Sequence, residues 1–498
     1  MRNRIVRGTA AMRGAFTTRA LRAALLSSAL TAGAAHAQSA ALAPGSVSDS
    51  SLTWNGITLY GDIDIGLQYQ THGAPVSDYY PSGNQTLVQK YSNKSVTAVT
   101  PSNVSQSRIG LSGNEPLFGD WAGVFRLETS FNPQSGNLVD GLKSLTLNNG
   151  KALSAYTASN DSSSAGQLFQ ISYAGLSSAR LGTITFGRQA TTLTDGIARY
   201  DPTGAVHAFS LLGASGATGG GGGATEDKRL DQTLKYAARF NFLHVGALYQ
   251  FSGSNGSRDT AIQAQLGAEF GGFSGDLYFA KKYDAITATS LSQPQVEQLA
   301  KLCNPPATVP PTAPKCYSVS NSLSGTISDN TTYAAMVLYR LRPVPVTLYG
   351  GYQHVTFDNP TNPLPSGSVI IGGYVLAFTT NTAYDDSKVL QVYWGGAKWG
   401  ITPALDLDVA YYGEKQNAFS TNAKLAGCST QINSACSGRE DTASLLLDWH
   451  LSKRFDVYAG TLWSEVRDGL ANGFLLTSNN LTSTAAILTT TAGVRFVF

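Results

Sequence analysis

Thr489-Thr490-Thr491-Ala492-Gly493-Val494-Arg495-Phe496-Val497-Phe498, the last ten residues, alternate with a period of two. Ala492, Val494, Phe496 and Phe498 share one parity and so one face of a strand, while Gly493 and Arg495 fall on the other. In water an edge strand showing that apolar row would invite aggregation. Against lipid it is an ordinary strip of a closed transmembrane β-barrel.

Working outward, the same alternation recurs along the chain. Ile57, Leu59, Ile63, Ile65, Leu67 and Tyr69 share one face, and Thr58, Asp62, Asp64 and Gln68 the other. Apolar faces without charge return at Trp121, Phe125, Leu127 and Phe131, at Ile262, Ala264, Leu266 and Phe270, at Leu405, Leu407, Val409 and Tyr411, and at Leu445, Leu447, Trp449 and Leu451. An Arg or Lys on a lipid face costs about 2–4 kcal/mol at the bilayer midplane, so this absence is informative.

About sixteen such segments are predicted: 56–70, 107–114, 121–131, 167–176, 182–189, 230–240, 242–252, 259–270, 273–282, 331–341, 344–356, 387–399, 404–414, 440–451, 455–466 and 486–498. Links after even-numbered segments are tight, as in Gly271-Gly272, Arg342-Pro343, 400–403 and Ser452-Lys453-Arg454, whereas most others are long. This predicts an all-β, 16-stranded antiparallel transmembrane β-barrel with short periplasmic turns, long outer loops and both termini in the periplasm. A water-soluble sandwich gives no reason for long and short loops to alternate.

The amino-terminal end agrees. Arg2, Arg4, Arg7, Arg13, Arg19 and Arg22 precede a modest apolar stretch, Ala23 to Ala35, and the small-residue pattern Ala35-His36-Ala37. These features predict a secretory signal peptide over 1–37, cleaved near Ala37, and a barrel domain over 38–498 in the outer membrane. Six of the 35 basic residues leave with that segment, so the remainder carries 29 basic against 32 acidic residues, a net charge of −3. The basic balance of the full chain is therefore no sign of nucleic-acid binding. After residue 37 no apolar run is long enough for a spanning helix.

The segments Thr58–Asp64, Ser107–Glu115, Leu181–Gln189 and Leu451–Tyr458, taken in this order with the terminal Phe498, resemble the strand motifs of Gram-negative general outer-membrane porins, especially the beta-proteobacterial kind. Pro116, where that family often has an acid, and the length of the loops depart from it. The resemblance implies a homotrimer of sixteen-stranded barrels whose third outer loop, here about 190–229, folds inward and narrows the lumen. By analogy, loop carboxylates would face arginines on the opposite wall, giving a transverse field. The matching basic positions are Arg108 and Arg126, both of inward parity, with Lys235 and Arg495 as weaker candidates. Asp195, Asp201, Glu226 and Asp227 are the candidate loop acids.

Asp276, Asp406, Asp408, Asp448 and Glu269 are expected in the general polar lining. Mixed signs predict weak cation preference at most. The expected function is passive diffusion of ions and small hydrophilic solutes; the alternative is a substrate-selective channel or surface adhesin on the same barrel. Expected partners are outer-membrane lipid, two further copies of the chain, the solutes themselves and the barrel-assembly machinery. Small outward residues at Thr490, Ala492 and Val494 fit protein rather than lipid packing.

Gly219 to Gly223 lacks the Lys-Ser or Lys-Thr ending of a phosphate loop and reads as flexible linker. Cys303 and Cys316 fall in one outer loop and Cys428 and Cys436 in another, which favours two local disulfides. Neither loop contains a His, so no metal is expected, and nothing calls for a cofactor. His72, His207, His244, His354 and His450 are scattered without a catalytic grouping, so the chain is expected not to be an enzyme. Phe498 matches, by the same resemblance, an assembly signal. Deleting it is expected to reduce the amount of assembled barrel more than the conductance of barrels that form. Heat-modifiable gel bands beside bilayer recordings check this, and normal assembly would reduce Phe498 to ordinary lipid-facing packing.

Overall fold

A computed structural model of the chain describes residues 52–71, 95–134, 136, 168–213, 228–252, 260–290, 323–362, 369–371, 374–376, 378–381, 386–419, 436–472 and 484–498. The predicted signal segment lies outside them. Sixteen strands follow one another: β1 (Ile57–Gln70), β2 (Arg108–Pro116), β3 (Trp121–Ser130), β4 (Ile171–Ser178), β5 (Gly182–Ala190), β6 (Arg229–Phe240), β7 (Leu243–Gln250) and β8 (Ala261–Phe270). They continue as β9 (Phe273–Ser290), β10 (Leu323–Leu341), β11 (Val346–Asp358), β12 (Lys388–Thr402), β13 (Leu405–Gln416), β14 (Gly438–His450), β15 (Phe455–Asp468) and β16 (Thr484–Val497). Neighbours pair antiparallel, and β16 returns to β1 with Asp62 opposite Val497 and Gln70 opposite Thr489, which closes the barrel. Phe498 extends that seam through reciprocal 2.9 Å backbone bonds with Gly61.

Side-chain parity follows the sequence pattern. Leu67, Leu266, Leu277, Tyr333 and Trp449 point outward and are each more than half exposed, a band explained by lipid contact. Asp62, Asp64, Asp276, Asp408, Asp448 and Arg495 alternate with such residues and are buried inside. The tight links predicted after even-numbered strands are all present.

Short strands not expected from the sequence occur at Val369–Ile371, Tyr374–Leu376 and Phe378–Asn381, and three further features of the wall and of loop 3 differ from the expected outline. Where a single second strand was expected, β2 pairs only with Ile57–Asp62, and a separate strand, Val96–Pro101, pairs with Ile65–Gln70. Residues 102–107 between them turn into the lumen. Strands β9 and β10 run on to Ser290 and Leu323, past a register shift between Lys282 and Ala285. The third outer loop opens with a helix, α1 (Thr192–Tyr200).

Local chemistry accounts for α1. The Thr191 side chain caps it by accepting from the Thr194 N–H at 3.1 Å, with Asp195 in the first turn and Arg199 in the last, matching the helix dipole. Leu193, Ile197 and Tyr200 lie on one face and pack with Tyr278, Met336, Trp394 and Tyr412 from the inner wall of β9, β10, β12 and β13. Beyond α1 the loop meets β12 and β15 at glycines: a Cβ on Gly396 would come within 2.5 Å of Pro202, and one on Gly460 within 2.6 Å of Phe209. Replacing the fully buried loop residue Phe209 with Ala is expected to cost loop docking about 3–5 kcal/mol by leaving a cavity against Tyr458 and Leu446. The barrel should still assemble while single-channel conductance rises. An unchanged conductance would show that the loop does not limit the pore.

Candidate functional site

Loop 3 leaves β5 at Thr191, runs along one wall as α1 and then crosses to the other. Asp201 ends the helix fully buried and organises the crossing: it accepts from Thr203 N–H and Oγ1 at 2.7 and 2.8 Å, from Ser210 Oγ at 2.6 Å and from the Tyr412 hydroxyl at 3.0 Å. Phe209 then meets Tyr458 of β15 edge-on, with ring centroids 6.4 Å apart.

There the loop docks on the inward turn 102–107. Ala208 N–H donates to the Asn103 carbonyl at 2.9 Å, and His207 Nδ1 lies 3.2 Å from the Ser102 carbonyl. The turn is itself held by Asp64 of β1, whose carboxylate accepts the N–H groups of Val104 and Ser105 at 2.6 and 2.7 Å and the hydroxyl of Tyr458. One fully buried carboxylate thus fixes the surface on which the inward loop rests.

The candidate wall residues Arg108 and Arg126 stand on β2 and β3 beside β1. Arg108 bonds Asp62 at 2.9 Å and lies 3.6 Å from Glu128; Arg126 bonds both Glu128 and the Tyr60 hydroxyl and lies over the Tyr60 ring at 5.2 Å. Arg188 and Arg229 act electrostatically within the same group of charges, and Arg188 also pairs with Asp231 at 2.6 Å. Arg495 joins a second group, bonding Asp456 at 2.6 Å and Asp448 at 3.3 Å, beside His450, Asp406 and Lys398. Asp448, His450 and Asp456 have metal-ligand composition and approach within 4.8 Å, but the Arg495 guanidinium already occupies the two carboxylates.

Sequence reasoning expected loop carboxylates to face the arginines, and among the described residues they do not. Asp195 pairs with Lys235, and Asp201 is buried in the loop's own turns. The acids beside Arg108 and Arg126 come instead from strands, as Asp62 and Glu128. Glu226 and Asp227 lie outside the described residues, as do Cys303, Cys316 and Cys428. Cys436 is buried and disulfide-bonded. Tyr60, Asp64, Arg188 and Arg229 were missed as site residues, although inward parity within Thr58–Asp64 marks the first two.

A closed barrel, apolar outside and charged within, crossed by an inward loop, is the architecture of an outer-membrane channel. A family model described as Gram-negative porin matches residues 23–469, and the chain belongs to that family. Among solved structures it is similar to an anion-selective porin from Comamonas acidovorans, at 16% identity, covering 89% of this chain and 99% of the other with a TM-score of 0.50. It is also similar to OmpT of Vibrio cholerae in a trimer form, at 13% identity, covering 89% and 99% with a TM-score of 0.51. No curated protein sequence matches.

The docking contact carries a pH dependence. A neutral His207 satisfies both of its neighbours, donating from Nδ1 to Ser102 and accepting at Nε2 from Lys228 Nζ, 3.3 Å away. Burial and the positive Lys228 hold this imidazole well below its usual value of 6.5. The docked loop therefore binds fewer protons than the undocked one. The His207 contribution to docking is complete above about pH 6.5 and weakens as pH falls below it. Lys228, pushed down to about 7 by burial and Arg229, weakens docking in the same sense as pH falls towards 7, and below about pH 6 it is charged in both forms and adds no slope. Hydrogen exchange across 205–213, corrected for intrinsic rates, should accelerate from about pH 6.5 to about 5, and His207→Asn should flatten the profile. An unchanged wild-type profile would exclude His207 as the latch.

Proposed function

We propose that the chain is a non-enzymatic diffusion channel for ions and small hydrophilic solutes, working as a homotrimer with loop 3 narrowing each pore. The observation that carries this reading is the docking of loop 3 across a lumen lined by Arg108, Arg126, Glu128, Asp62 and Arg495, all charged and all held in fixed pairs. Such a lining offers passing solutes closely spaced charges of both signs instead of one deep site. In this reading Arg108 and Arg126 form the basic wall, with Lys235 and Arg495 tied into neighbouring ion pairs. The described histidines are accounted for structurally where they meet acids, His244 with Asp276 and His450 with Asp456.

The trimer is supported by the Vibrio cholerae protein, which has a trimer form. A preference for anions belongs to the Comamonas acidovorans protein; here the balance of acidic and basic lining favours weak cation preference at most. In planar bilayers the purified protein should insert in conductance steps and give a reversal potential near zero or slightly towards cations. Swelling of loaded liposomes should fall steadily with solute size. Strong anion selectivity would reject the charge reading, and saturable uptake inhibited by its own solute would replace a general pore with a selective one.

A further inference from the structure

Two buried carboxylates in the outer half of the lumen have no bonded partner. Glu414 of β13 and Glu440 of β14 stand directly opposite each other in the ladder and both face inward. They are 0% and 1% exposed. Neither makes a hydrogen bond or ion pair with a described residue, and both oxygens of Glu414 are buried without a donor. On the same cross-strand row, Gln353 of β11 lies opposite Val392 of β12, which lies opposite Glu414. Its amide nitrogen and oxygen are likewise buried and unpartnered, at 0% exposure. The neighbouring cation, Lys388, sits over the rings of Phe357 and Phe419 at 5.1 and 5.9 Å and makes no ion pair among the described residues.

Two like charges in one dry place repel, and each loses its hydration; Lys388 acts on Glu414 through space and offsets one of the two charges, so the pair keeps an excess negative charge that a bound cation would neutralise. The available donors are carboxylate and amide oxygens, with no sulfur and no imidazole. That set suits a hard divalent cation that keeps part of its water shell. We propose that Glu414 and Glu440 bind a calcium ion, with the unpartnered Gln353 on the same inward row, and that the ion ties β13 to β14. This goes beyond the transport reading and stands whether or not the pore is selective.

The test uses the full-length protein, purified in detergent, freed of metal with a chelator and dialysed against radioactive calcium. Wild type should bind calcium saturably, and Glu414→Gln combined with Glu440→Gln should lose about tenfold or more in affinity at that site, because the charge that holds the ion is gone. Should the double variant fail to assemble, Glu440→Gln alone and Lys388→Met carry the test. The first should weaken binding and the second strengthen it, because it removes a competing positive charge. Wild type without saturable binding, or with binding unchanged in the Glu variants, would overturn the proposal and leave the two carboxylates to share a proton.

Discussion

Backbone closure between the first and last strands is the constraint on which the rest of the molecule depends. At membrane depth no water is present to bond an open sheet edge, and each orphaned N–H or C=O costs several kcal/mol. The seam from Asp62–Val497 to Gln70–Thr489, extended by the Gly61–Phe498 bonds, removes that edge. Once the ring is closed, the two-residue period of a strand creates two surfaces of opposite chemistry, one against lipid and one around the lumen.

The inner surface then has its own problem, since charges enclosed by a barrel and an inward loop lose bulk water. The chain meets it by pairing: Arg108 with Asp62, Arg126 with Glu128, Arg495 with Asp456 and Lys235 with Asp195. Loop 3 is a packed element with an apolar helix face on one side and a hydrogen-bonded latch on the other. Its resting place is prepared by Asp64, whose lone pairs hold the 102–107 turn. Loop 3 and the β1 wall are thus joined through the turn that Asp64 holds.

Much of the fold was legible. The sixteen predicted segments coincide with β1–β16 to within a few residues at most ends, because strand parity and tight turns are local properties. The strand Val96–Pro101 escaped notice because six residues ending at a proline give a short signal, although its Val-Thr-Ala-Val-Thr run is β-prone. Helix α1 escaped because nine residues cannot hold a helix by propensity; tertiary burial of Leu193, Ile197 and Tyr200 maintains it. The family resemblance placed Arg108 and Arg126 on the wall, but it assigned their counter-charges to the loop, and Asp62 and Glu128 supply them.

By itself the sequence determined the class of fold and the lipid-facing and lumen-facing residues, because each follows from spacing along one strand, whereas the inward loop was placed by the family resemblance and a strand count. Only the tertiary structure decided which charges meet. Asp201 and Tyr412 are 211 positions apart, and Asp64 and Tyr458 are 394 apart. Contacts of that kind depend on how the ring closes and where loop 3 comes to rest, and no local pattern encodes them.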